Sequence, residues 1–130
     1  MKGTYVFIFK LKESSRIRIG KFGSFYFPKG YYYYVGSALG ENLNIENRIR
    51  RYIRIAKEKK GNLKWHIDYL LVKNIEIKGF VLFKSKVEHK IARKLSKKLL
   101  IIVKGFGSSD CNCIAHLFYS KNFKNMKELL

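Results

Sequence analysis

Apolar and polar positions change rhythm several times along the chain, and each change marks an element. From Gly3 to Phe9 the run Gly-Thr-Tyr-Val-Phe-Ile-Phe has no polar alternation, which predicts a central strand buried on both faces. Glu13-Ser-Ser15 reads as a turn, and Arg16-Ile-Arg-Ile19 then alternates as a half-exposed strand with its basic side outward. A turn over Gly20 to Gly23 leads to a strand at Phe25-Tyr-Phe27, and Pro28-Lys-Gly30 is a strong turn signal. It feeds Tyr31-Tyr-Tyr-Tyr-Val35, which ends at Gly36, so this first segment reads as a small meander.

Helical spacing takes over after a loop rich in Gly, Asn and Glu. Asn44 is placed to cap a helix from Ile45 to Lys57, with Glu46 favourably near its N-terminus. Ile45, Ile49, Tyr52, Ile53 and Ala56 form one stripe. Arg50, Arg54 and Lys57 lie mostly opposite it, and Arg48 borders it beside Tyr52. Gly61-Asn62 breaks this helix. A second helix is expected over Leu63 to Val72, carrying Trp65, His66 and Asp68. A strand over Ile75 to Phe83 and a third helix over Val87 to Leu100 follow. Short strands at Ile101 to Val103 and Leu117 to Tyr119 surround a Gly-Phe-Gly-Ser-Ser-Asp loop. The expected class is α/β, of the α+β kind: one domain over residues 1–130, its small, mostly antiparallel sheet flanked by about three helices.

Composition adds a partner to this picture. Lys plus Arg total 28 against nine Asp plus Glu, a formal net charge of +19. Such a field repels its own copies and favours a polyanion, either nucleic acid or an anionic membrane surface. The membrane reading is the weaker, because no long apolar span occurs and Tyr5 to Phe9 is too short for a signal-peptide core. Codon bias could supply the lysines, but it does not explain why acids are so few. The two cysteines, Cys111 and Cys113, are one residue apart and would make a strained disulfide, so a reducing cytoplasm is the expected location.

Glu88 is the most informative single residue. It falls inside the apolar arc of the third helix with Val87, Ile91, Ala92, Leu95 and Leu99. A carboxylate there is costly unless it pairs with an arginine or binds a metal; Lys98, near the helix end, can snorkel out. Arg48 and Tyr52, one turn apart, could share a phosphate's oxygens, or be an exposed Arg and a packed Tyr. Cys111, Cys113 and His116 have a Cys-x-Cys-x-x-His spacing that offers three ligands and matches no common zinc module. An ordered loop reaching the active site is the better reading of that stretch, Asp110 included. His66 and Asp68 contact the substrate or orient each other.

A resemblance draws these residues together. Gly3-Thr4-Tyr5 followed by Tyr34-Val35-Gly36 resembles the paired tripeptides of the GIY-YIG endonuclease superfamily. Arg48-Ile-Arg-Arg-Tyr52 resembles its helix motif, and Glu88 matches its metal-binding Glu early in a later helix. Arg-Ile-Gly-Lys-Phe-Gly (18–23), Trp-His-Ile-Asp-Tyr-Leu-Leu (65–71) and Gly-Phe-Gly-Ser-Ser-Asp-Cys (105–111) look like one largely archaeal branch of uncharacterised function. Members of that branch are sometimes joined to endonuclease III-type glycosylases.

The resemblance implies a metal-dependent endonuclease that hydrolyses DNA phosphodiester bonds, structure- or damage-directed, in repair or recombination. Tyr34, assisted by Tyr5, would orient or deprotonate the attacking water; a phenol needs nearby positive charge or a metal for the second role. Arg48 would stabilise charge growing on the phosphate and Tyr52 would help hold it. Glu88 would bind one Mg²⁺ or Mn²⁺. Gly36, Ser37, Arg51, His66 and Ser109 would contact the substrate, Gly36 by allowing close approach.

Four departures stand out. The Ser15 to Gly30 segment is inserted between the tripeptides, and Gly36 to Arg48 is long. Ser37 replaces a lysine of some repair nucleases, and Lys90 replaces an acid common in the branch. They keep open a non-catalytic module that binds DNA or RNA. The expected partners are nucleic acid, DNA ahead of RNA, and other DNA-repair proteins, with no membrane.

Overall fold

Residues 1–41, 44–107 and 114–130 are described by the computed structural model. Strands β1 (Gly3–Leu11), β4 (Gly30–Ala38), β5 (Ile75–Phe83) and β6 (Leu117–Ser120) form one antiparallel sheet in the order β5-β1-β4-β6. Strands β2 (Ser15–Ile19) and β3 (Gly23–Phe27) form a separate hairpin. Helices α1 (Ile45–Glu58), α2 (Asp68–Leu71), α3 (Glu88–Ser96) and α4 (Met126–Leu129) complete the described α+β fold.

Six of the seven expected strands form, β4 running past Gly36 to Ala38, but they do not make a simple meander. β4 returns to lie against β1, from Gly3 opposite Ala38 to Leu11 opposite Gly30, and the β2–β3 hairpin folds away between them. The reason is in the patterning. β1 and β4 are apolar on both faces and belong in the middle of a covered sheet. The hairpin alternates, so it has one face to bury and one for solvent.

The main sheet separates two cores. Tyr5, Phe7, Phe9 and Leu11 of β1 point one way, with Tyr32 and Tyr34 of β4, and are covered by the hairpin, α1 and α2. Val6 and Ile8, with Tyr33 and Val35, point the other way and are covered by Ile91 and Leu95 of α3 and by Met126 and Leu129 of α4. α4, whose Asn125 cap accepts from the Lys127 amide at 3.0 Å, is too short to leave a period in the sequence.

Helix α1 is capped by Asn44, whose side chain accepts the Asn47 amide at 2.9 Å, and it ends at Lys59 in a left-handed conformation. Its buried stripe is rotated from the expected one: Ile53 is 44% exposed, whereas Ile55 is 1% exposed. That rotation carries Arg48 inward, with consequences for the site.

The expected helix over Leu63 to Val72 shrinks to one turn, α2. Asp68 explains this, because its carboxylate accepts the backbone N–H groups of Lys64 (2.8 Å) and Trp65 (2.9 Å) and fixes an irregular approach instead. The third helix stops at Ser96, short of Leu100. Leu100 bridges to Tyr119, and no strand forms at Ile101 to Val103. Lys98 does snorkel, reaching the Glu128 carbonyl at 2.6 Å. No described helix is long and apolar enough to cross a membrane.

Candidate functional site

A cleft of about 380 Å³ opens where β1 begins and β4 ends. β6 pairs β4 only over Tyr31 to Tyr34, and the Val35 amide then donates to the His116 carbonyl at 2.9 Å, so the last residues of β4 face the cleft. Tyr5 comes from β1, Tyr34, Gly36 and Ser37 from β4, Arg48 from α1, His66 from the approach to α2, and Glu88 from α3; all line it.

Tyr5 and Gly36 are cross-strand partners, and a Cβ at Gly36 would overlap the hydroxyl and Cζ of Tyr5. The glycine thus makes room for a phenol of its own chain, a nearer occupant than the substrate expected from the sequence. The Tyr5 hydroxyl lies 2.6 Å from that of Tyr52, which sits one layer behind, its ring stacked on Phe7 at 5.4 Å. Burial is the main cause that raises the hydroxyls of Tyr5, Tyr34 and Tyr52 above the ordinary phenol value. Arg48 pulls the other way, but burial wins. The phenols therefore hold their protons at neutral pH.

Arg48 is partly engaged, since its side chain hydrogen-bonds to the Tyr52 hydroxyl. Its buried Nε has no hydrogen-bond partner among the described residues, and its guanidinium lies 4.4 Å from the centre of the Trp65 ring. Arg51 lies against the same ring at 4.6 Å. However, Arg51 is not among the cleft-lining residues. Its two terminal nitrogens each donate to a carboxylate oxygen of Asp68 at 2.7 Å, and Asp68 is fully buried. Asp68 therefore ties the Trp65 backbone and Arg51 into one brace behind Arg48, a structural part rather than a substrate contact. Trp65 is the main residue that sequence reasoning missed. Its signal was available, since it is the lone Trp and follows two arginines one face apart on α1.

Glu88 opens α3 at the lip of the cleft, its side chain 16% exposed. Ser37 Oγ donates to Oε1 at 3.0 Å, and His116 Nδ1 lies 3.7 Å from Oε2. The same Nδ1 is 3.1 Å from the Val35 carbonyl, so it carries a proton. Glu88 is thus held on the strand side by the Ser37 hydroxyl, with the His116 imidazole nearby, and not by an arginine. His66 Nδ1 accepts the Gly107 amide at 2.9 Å, which leaves the proton of the neutral ring on Nε2, and burial lowers its basicity. Lys64, Lys86 and His89 complete the basic lining.

Among the described residues no three His, Cys, Asp or Glu side chains gather to hold a metal. Ser109, Asp110, Cys111 and Cys113 lie outside the described residues. A single carboxylate suits an ion that keeps most of its water and shares phosphate oxygens, as Mg²⁺ does, and does not suit a closed zinc site.

A family model described as Domain of unknown function DUF123 matches residues 4–130. No curated protein and no solved structure matches the chain.

Proposed function

The chain belongs to the Domain of unknown function DUF123 family, and from the geometry of its cleft we propose that it is a divalent-metal-dependent endonuclease of the GIY-YIG type. One observation carries the reading. Tyr5, Tyr34, Arg48 and Glu88 are spread over β1, β4, α1 and α3, yet all four line one basic cleft. A packing role alone gives no reason for an arginine with an orphaned Nε and a carboxylate to share the same opening.

The chemistry follows from the side chains. Arg48, steadied against Trp65, meets the scissile phosphate and opposes the charge that grows on its oxygens. Tyr34 keeps its proton and orients the attacking water by hydrogen bonding; as the water oxygen bonds to phosphorus and the bond to the leaving oxygen breaks, the water's proton passes to bulk solvent rather than to a tyrosinate. Tyr5 and Tyr52 hold one another and fix the wall on which Tyr34 and Arg48 stand. Glu88, oriented by Ser37 and His116, is the anchor for one Mg²⁺ or Mn²⁺. When bound, that ion supplies charge stabilisation at the leaving oxygen. His66 presents Nε2–H as a further donor to phosphate.

DNA is the proposed substrate, ahead of RNA, and repair or recombination the proposed setting, with other repair proteins as partners in the cytoplasm. The test is cleavage of labelled linear, nicked, branched and flap DNAs, plus RNA, with Mg²⁺ or Mn²⁺. Metal-dependent cuts lost in both Glu88→Ala and Tyr34→Phe are the expected result. Tyr34→Phe should slow the chemical step by about 10²–10³-fold, the range for loss of one positioned hydrogen-bonding group. Tight binding with no cut on any substrate would instead identify a non-catalytic nucleic-acid module.

A further inference from the structure

The segment from Ser15 to Gly30 packs behind and beside the cleft, although none of its residues lines it. It has a pattern of its own. On the inner side of the hairpin Ile17, Ile19 and Phe27 are buried. On the outer side Arg16, Arg18, Ser24 and Tyr26 are all exposed, Tyr26 by 57%. Arg16 is directly opposite Tyr26, and Arg18 opposite Ser24. Lys21 and Phe22 are exposed at the turn. No acidic residue occurs between Glu13 and Glu41.

The turn is fastened to the rim of the cleft. Phe22 stacks on His66 with ring centres 4.5 Å apart and planes 9° from parallel, and His66 lines the cleft. The outer face of the hairpin and the cleft therefore meet at one aromatic contact. We infer that this face binds the unpaired strand of the nucleic acid next to the cut site, an inference that rests on the nuclease reading of the cleft.

The chemistry of the face selects that occupant. Same-side residues of a strand recur every ~6.5–7 Å, close to the spacing of successive phosphates on an extended chain. Arg16 and Arg18 are such a pair. Arg16 is steadied by one hydrogen bond to the Ser24 carbonyl at 3.3 Å, which leaves most of its donors for an anion. An exposed tyrosine beside the arginines offers a ring on which an unstacked base can lie, and a base inside a duplex cannot reach it.

The test uses the whole chain and fluorescence anisotropy of labelled single-stranded and duplex oligonucleotides in chelator, across a salt series. Arg16→Ala/Arg18→Ala should flatten the single-strand log–log salt slope by about 1.4, two contacts at ~0.7 each. Tyr26→Ala should weaken single-strand binding by about 5- to 150-fold, the worth of one base stack, and Tyr26→Phe should restore it. Melting temperatures should not move, and cutting of flap or branched substrate below saturation should fall in step with the lost single-strand affinity. If the variants bind like the original protein while it still cuts, the hairpin inference is overturned and the nuclease reading stands. Loss of duplex binding alone would overturn the assignment to an unpaired strand. Hairpin-dependent binding of single strands without any cutting would keep the hairpin as a single-strand surface but refute the nuclease reading and, with it, the placement beside a cut site.

Discussion

Asp68→Ala tests the brace behind Arg48. The carboxylate is fully buried and accepts four hydrogen bonds, two from Arg51 and one each from the Lys64 and Trp65 amides. Truncation leaves the Arg51 guanidinium, 18% exposed, with only the Asn62 carbonyl at 3.1 Å and the Trp65 ring, and frees two backbone donors. Breaking one partner out of a buried pair costs about 3–5 kcal/mol. With ~2.1 cal/mol/K of unfolding entropy per residue, 130 residues give about 0.27 kcal/mol/K, so the melting temperature should fall by about 11–18 °C. Urea unfolding with an unchanged slope would show that the loss is in native stability. The double variant with Arg51→Ala should cost much less than the sum of the two single changes, since each removes the same pair. Substrate binding should suffer at temperatures where the variant remains folded, because Trp65 no longer backs Arg48. A loss under about 1 kcal/mol, or single-variant costs that simply add, would refute the claim that Asp68 is the hub.

Three further expectations follow from other contacts. Gly36→Ala should cost about 1–3 kcal/mol by overpacking, and should displace the Tyr5 phenol from Tyr52; an unaltered melting temperature together with full activity would contradict it. Burial raises the hydroxyls of Tyr5, Tyr32, Tyr33, Tyr34 and Tyr52, so the folded chain keeps protons that the unfolded chain gives up above about pH 10. Their stabilisation is intact below that pH and is lost as pH climbs towards the folded values, by about 1.4 kcal/mol per pH unit for each such group. Phenolate absorbance and loss of circular dichroism should appear together, and phenolate forming in a still-folded chain would count against the burial argument. His66 has the opposite sign: its basicity is depressed, so its contribution is present above the ordinary histidine value and is lost as pH falls through the folded one. The Gly107 amide signal should shift with that titration in NMR, and a pH-independent signal would separate the two residues.

Much of the sheet was legible because β1, β4 and β5 are long and strongly patterned. Their partners were not, since pairing depends on which faces get covered. β1 chose β4 over the nearer β2 because only β4 is apolar on both sides. The second helix misled for a different reason. Apolar spacing over Leu63 to Val72 is helical, but a buried carboxylate at Asp68 competed for the same amides. On α1 the presence of a stripe was plain, while its rotation by a fraction of a turn, which exposes Ile53 and draws in Arg48, follows from tertiary packing. The cleft residues were found by resemblance more than by spacing. Glu88 alone announced itself, as an acid on an apolar arc. Arg51 shows the limit, because nothing local distinguishes an arginine that lines the cleft from one bound for Asp68.

The sheet that divides the two cores also divides the labour of the cleft. Tyr5, Tyr34 and Arg48 belong to the layer beneath α1, whereas Ser37, Glu88 and His116 gather on the side of α3. Evolution can therefore edit the two halves separately. Repacking around Ile91 and Leu95 could tune or retire the acid without disturbing the aromatic floor. On the nuclease reading proposed above, a lineage that discarded the carboxylate would keep Arg48 and the tyrosines in place, and would pass from cutter to reader through a few substitutions in a single layer.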